Sequence, residues 1–229
     1  MMTPNFCWSE RADRVSVNAN TSGRTVFVPE LALDRAVPVE PVWILVYVSM
    51  WVFAFLPGFV VRDVELRRRA VLAYLSVQLV SHVGFLVYPT MVRRPARVID
   101  EGFFAWSLQF IYDSDRPYNC FPSLHVAYAF LAALTCYRIH RGLGIAALVY
   151  AALIGISTLY TKQHYVVDVV AGALLLAYVA YLVFLRSYAR NAITEADRRR
   201  AALRVLAAVE VFGVVVVAFW IAYNLRAAA

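Results

Sequence analysis

Apolar residues in this chain run in long blocks, separated by short clusters rich in Arg, Asp, Glu, Pro and His. Such blocks lack the alternation of a half-buried strand. They also lack the one-sided stripe of a soluble helix, so they read as helices with apolar surroundings on every side. Crossing the hydrocarbon core of a bilayer takes roughly 20 residues in helical conformation. On that measure the blocks at 42–61, 70–88, 123–137, 143–160, 164–185 and 205–225 predict six crossings. The expected fold class is all-α, a polytopic membrane six-helix bundle. Residues 1–40 are polar and show no apolar core behind a basic start, so a loosely ordered tail is expected rather than a signal peptide. Val26, Phe27 and Val28 are expected to touch the membrane surface, and residues 41–229 to form the transmembrane domain.

Local signals refine this outline. Pro57-Gly58 near the end of the first block predicts a kink or early stop. Trp and Tyr at the outer end of that block suit an interfacial anchor. The apolar piece at 102–111 is too short to span, and is expected to lie in the interface or pack as a lid. His82, inside the second block, is expected to face the bundle interior and find a hydrogen bond. His140 falls in a short basic turn and reads as solvated.

Composition agrees with the pattern. Hydrophobic residues make up 62% of the 229, charged residues 16%, and the mean hydropathy is +0.64. The net charge of +7 raises nucleic-acid binding as a reading, but no soluble basic domain exists to carry it. The loops after the first, third and fifth blocks hold the larger share of the 22 basic residues. The positive-inside rule then puts those loops in the cytoplasm, and both termini on the periplasmic or lumenal side. Cys7, Cys120 and Cys136 show no metal-ligand spacing. Cys136 reads as core, and a Cys7–Cys120 disulfide remains open because both would lie on one side.

Candidate chemistry concentrates at two polar clusters, Tyr118–His125 and Thr161–Asp168, which two crossings bring back to one face of the bilayer. His164 and Asp168 stand four apart and share a helix face, so the carboxylate can fix the imidazole tautomer and sharpen its nucleophilicity. Ser123, after Pro122 and at the head of an apolar run, marks a helix start. Its hydroxyl can cap the helix or donate to a phosphoryl oxygen, and the helix N-terminus favours an anion. His125, one turn on, is placed to protonate a leaving alkoxide. Arg94, Arg97 and Lys162 supply positive charge for phosphate oxygens.

These residues resemble the three motifs of the type 2 phosphatidic acid phosphatase (PAP2) superfamily: Lys-x6-Arg-Pro, Pro-Ser-Gly-His and Ser-Arg-x5-His-x3-Asp. The chain matches at Arg94-Pro95, at Pro122, Ser123 and His125, and at Ser157, His164 and Asp168. It departs at Val87, Leu124 and Thr158, where the family has Lys, Gly and Arg. The resemblance implies a six-helix bundle of the PAP2 type, a phosphohistidine at His164, His125 as general acid and base, and Asp168 orienting His164. It implies a membrane lipid as substrate and neither metal nor cofactor. In motif form the chain is similar to the inositol phosphorylceramide synthase branch, which passes a phosphoryl headgroup to a lipid alcohol. Arg97 and Lys162 are the expected substitutes for the missing cradle cations. A non-catalytic lipid-binding or transport protein that kept the pocket stands as the alternative.

Overall fold

The computed structural model describes residues 25–189 and 195–227, which are 74% helical. In chain order the helices are α1 (Ala32–Ala36), α2 (Ile44–Phe53), α3 (Leu56–Val60), α4 (Val64–Val87), α5 (Phe103–Ser114), α6 (Leu124–Ile139), α7 (Arg141–Tyr160), α8 (Val166–Leu185) and α9 (Glu195–Ala227). Among the described residues, four helices are long and apolar enough to cross a membrane: α4, α7, α8 and the part of α9 from Arg199 to Arg226. The expected first and third crossings are shorter apolar helices, Pro41–Phe53 and Leu124–Ile139. Length and apolarity thus support four of the six expected crossings.

Helix α6 is the axis of the bundle. Val126, Ala127, Ala129, Leu131, Ala132, Ala133 and Cys136 are all fully buried, in contact with α4, α7 and α8. Small side chains at these positions let neighbouring backbones come close, the usual means of helix packing where surrounding lipid removes the hydrophobic drive. Two glycines mark the tightest approaches. A Cβ at Gly144 would lie 2.2 Å from the Cα of Tyr137, and one at Gly172 would lie 2.4 Å from the carbonyl oxygen of Ser123. The outer faces of α4, α8 and α9 stay apolar and exposed, with Leu79, Val87, Leu175, Val183, Val214 and Leu225 among the exposed residues.

Several expectations are corrected. The first block breaks at Ala54–Phe55, before Pro57 rather than at it. Proline occupies the opening turn of α3, where its missing N–H breaks no helical bond. His82 faces outward and bonds its own helix, Nδ1 to the Gln78 carbonyl at 2.8 Å, because Val77 and Ser81 take the inward face of α4. His140 is exposed but ordered, its Nδ1 accepting the Leu143 N–H at 3.1 Å to cap α7. The basic stretch after the fifth block, read from the sequence as a loop that is part helix, joins α9 from Glu195 onward. The segment at 102–111 lies within α5, packed by Ala105 and Leu108 on Ile44, Tyr47 and Val48, and by Trp106 and Phe110 on Phe219 of α9.

Residues 25–40 are docked rather than loose. Phe27 pairs with the backbone of Pro89 and Met91 (2.9 and 3.0 Å) and stacks on Tyr88 at 4.5 Å. Cys120 is buried with its thiol directed to the Pro117 carbonyl, and burial pushes its pKa well up. Cys7 lies outside the described residues, and with it any pairing of the two.

Gly172→Ala is expected to lower unfolding stability by about 1–3 kcal/mol, because its Cβ meets backbone rather than a side chain that can swing away. Gly58→Ala, with open space around its Cβ, serves as the control. Thermal unfolding in detergent checks both; an unchanged midpoint for Gly172→Ala would contradict the close approach.

Candidate active site

The two histidine clusters converge because α6 and α8 begin against each other. The Ser123 N–H donates to the Asp168 carbonyl at 3.1 Å, joining the head of α6 to the first turn of α8. Ser123 is fully buried, and its hydroxyl accepts the Val126 N–H at 3.3 Å as the N-cap of α6. From the first turn of α6, His125 reaches His164, with Nδ1 and Nε2 3.0 Å apart. On the other edge of His164, Nδ1 lies 3.6 Å from Asp168 Oδ2, an electrostatic contact just beyond hydrogen-bond reach. Asp168 is fully buried, and the same Oδ2 accepts the Tyr165 N–H at 2.8 Å. One carboxylate therefore caps α8 and faces the imidazole.

The loop from Thr161 to Tyr165 holds His164 in place. The amides of Gln163 and His164 both donate to the Thr158 carbonyl, at 2.8 and 3.3 Å, and Lys162 turns the chain at φ +49°. The Thr158 hydroxyl bonds back to Gly155, so the residue that stands in for the motif arginine brings no charge. Val87, at the position of the motif lysine, is exposed on the outside of α4.

Arg94 is the cation that the fold delivers to this loop. Its Nε donates to the Lys162 carbonyl at 3.2 Å, Nη1 to the Asp115 carbonyl at 2.6 Å and Nη2 to the Gln163 side-chain oxygen. Its guanidinium also sits 5.1 Å over the Tyr112 ring and 3.7 Å from the Asp115 carboxylate. Three of the five guanidinium N–H groups are taken by these hydrogen bonds, and Nη2 also faces the Asp115 carboxylate. The extended segment leading to Arg94 is fixed by backbone bonds from Val92 to Pro117 and from Asn119 to Thr90, and by the Arg93 N–H on the Tyr165 hydroxyl at 3.1 Å.

Lys162 and Arg97 are not brought to the imidazole pair. The Lys162 ammonium donates to the carbonyls of Asp34 and Val37 at 3.0 and 2.6 Å, on the N-terminal segment. Burial pulls its pKa below that of an ordinary lysine, while nearby Asp34 and Glu30 oppose the shift. Arg97 is exposed and lines a separate polar cavity of about 360 Å³ with Asp100, Glu101, Gln109 and Arg226. Lys162 finds acceptors on the N-terminal segment and Arg97 faces its own cavity, placements that residue type and spacing do not reveal.

Three groups at the site escaped the sequence reading. Tyr47 and Trp51 of α2 pack on the His125 ring, with centroids 5.6 and 5.5 Å away. Their i, i+4 spacing was the available signal, but it equally fits an interfacial anchor. Asp34, nearly fully buried, accepts the Val166 N–H at 2.8 Å, and no local pattern points to it. Gln163 Nε2, His164 Nδ1 and Asp168 Oδ1 are buried polar atoms without a hydrogen-bond partner among the described residues.

A helical bundle with an imidazole pair, one ring buried and the other partly so, a carboxylate and an arginine defines a site for handling an oxyanion. A family model described as the PAP2 superfamily matches residues 36–183, well over half the chain, and the protein belongs to that superfamily. Members of the superfamily are phosphatases or phosphotransferases. Searches of curated proteins and of solved structures returned no match.

Ser123→Ala is expected to cost about 1 kcal/mol of stability through loss of the α6 cap, and Ser123→Gly only a few tenths. Denaturation of the purified variants checks this, and equal stability of all three would remove the capping role.

Proposed function

We propose that this protein is an integral membrane lipid phosphatase or phosphotransferase that works through a phosphohistidine on His164. The observation that carries the reading is the 3.0 Å contact between His125 and His164, from separate helices, backed by Asp168. With the carboxylate beside it, Nδ1 of His164 holds the proton and leaves the Nε2 lone pair free for phosphorus. In the resting site His125 Nδ1–H occupies that lone pair, so an arriving phosphate displaces one hydrogen bond. His164 Nε2 then bonds to phosphorus, the bond to the leaving oxygen breaks, and that oxygen takes the His125 proton. In the second half His125 accepts a proton from water or an alcohol as its oxygen attacks phosphorus and the P–N bond breaks. The Arg94 N–H groups and the N-terminus of α6 neutralise the non-bridging oxygens.

The substrate in this reading is a phospholipid phosphate or a headgroup donor such as an inositol phospholipid. The bundle makes six crossings, two of them short, with the imidazoles facing the periplasm or lumen. A second reading, a lipid-binding protein without turnover, is favoured by one observation. The three expected cradle cations reduce to Arg94, which protein acceptors already hold in three directions.

Release of inorganic phosphate from short-chain phosphatidic acid in detergent with EDTA is expected for the native chain. His164→Ala is expected to abolish it, and Asp168→Ala to lower it by roughly two to four orders of magnitude. Transfer of headgroup to diacylglycerol or ceramide without phosphate release would select the transferase. Lipid binding with neither reaction would select the second reading.

A further inference from the structure

We propose that Asp34 is a positioning residue for the His164 loop, acting with Lys162 as a two-point clamp that ties residues 34–37 to the catalytic turn. This rests on the reading of His164 as nucleophile. Asp34 lies outside the stretch that carries the family match, which begins at residue 36.

The clamp is built from polar groups of both segments. On the Asp34 side, Oδ1 accepts the Val166 N–H at 2.8 Å and Oδ2 accepts its own segment's Leu31 N–H at 2.8 Å, which closes the turn that starts α1. Its backbone carbonyl and that of Val37 receive the Lys162 ammonium at 3.0 and 2.6 Å. One anchor therefore lies two residues before His164 and the other two residues after it. A third tie, the Glu40 N–H on the Tyr160 carbonyl at 3.1 Å, fixes the same segment to the end of α7.

Two features argue that the clamp sets geometry rather than merely adding contact. Val166 opens α8, so its N–H has no intrahelical acceptor; a buried carboxylate supplies one and places negative charge at a helix N-terminus. Lys162 holds left-handed backbone at φ +49°, a conformation that costs a residue with a side chain about 1 kcal/mol or more and needs outside support. The ammonium, hydrogen-bonded to two carbonyls of the N-terminal segment, provides that support. Without the clamp the turn is free to relax, and the His164 ring shifts relative to His125. Displacements of about 1 Å in a site of this kind cost up to roughly a hundredfold in rate.

The test compares Asp34→Ala, Asp34→Asn and Lys162→Met with the native full-length chain in detergent, and uses Arg35→Ala, exposed on the same short helix, as control. Phosphate release from short-chain phosphatidic acid gives kcat and KM. Amide hydrogen exchange of the peptide covering 161–168 reports the loop directly. Asp34→Ala and Lys162→Met are expected to lower kcat roughly ten- to a hundredfold with KM changed less than about threefold, and to speed exchange at Val166. Asp34→Asn, which keeps one acceptor oxygen, is expected to fall between, and the double variant to be no worse than the more affected single one. Arg93→Ala, whose guanidinium is exposed, is expected to lose less turnover than Lys162→Met. Native kcat and native exchange in Asp34→Ala would overturn the proposal, as would a loss wholly in KM. If the native chain shows no turnover, the catalytic reading fails, yet exchange at Val166 still decides the clamp: faster in Asp34→Ala upholds it, unchanged ends it.

Discussion

The site depends on one backbone contact between the start of α6 and the start of α8. The Ser123 amide meets the Asp168 carbonyl, and Gly172 lacks the Cβ that would strike the Ser123 carbonyl. Neither interaction involves a group that does chemistry. Together they fix the depth at which two helices enter from different parts of the chain, and hence the separation of their histidines. A helix start is a good place for such a joint. Its free amides need acceptors in any case, so the bonds that satisfy them also align the elements.

Around that joint the electrostatics are sparse. One carboxylate, Asp168, turns the same oxygen, Oδ2, to a helix cap and to the edge of an imidazole. A single guanidinium, Arg94, is gripped by two carbonyls and an amide while a tyrosine ring lies beneath it. Rigid placement of few charges suits a low-dielectric setting, where each acts more strongly than it would in water and an unpaired one is costly. It also explains why Arg94 could not be replaced by lysine without loss: an ammonium has no planar fork to satisfy three acceptors spread in different directions.

What was legible in the sequence was whatever local spacing encodes. The Ser123 cap and four of the long apolar blocks follow from local pattern and are visible in the structure, whereas His164 meets Asp168 from the loop ahead of α8 and not from a shared helix face. Side chains long enough to choose among partners were not legible. Lys162 turned to the N-terminal segment and Arg97 to a separate cavity, because their nearest acceptors are set by tertiary packing. Asp34 was invisible for the complementary reason: its partner amide lies 132 positions away and belongs to a helix start that any sequence would have. The break of the first block was misplaced by three residues, since proline is tolerated in the first turn of a helix and marks its beginning rather than its end.

The shortness of α6 has a physical consequence of its own. Sixteen residues of helix reach about 24 Å, against about 30 Å of hydrocarbon in an average bilayer. Its longer neighbours α7 and α8 have 20 residues each, about 30 Å, so the central helix of the bundle is the shorter one. In a bilayer matched to α7 and α8, the apolar path over the ends of α6 would be thinner than its surroundings. Hydrophobic mismatch of this kind would draw a substrate's phosphate down to the protein, so that turnover would depend on the thickness of the surrounding membrane as well as on the lipid's own chemistry.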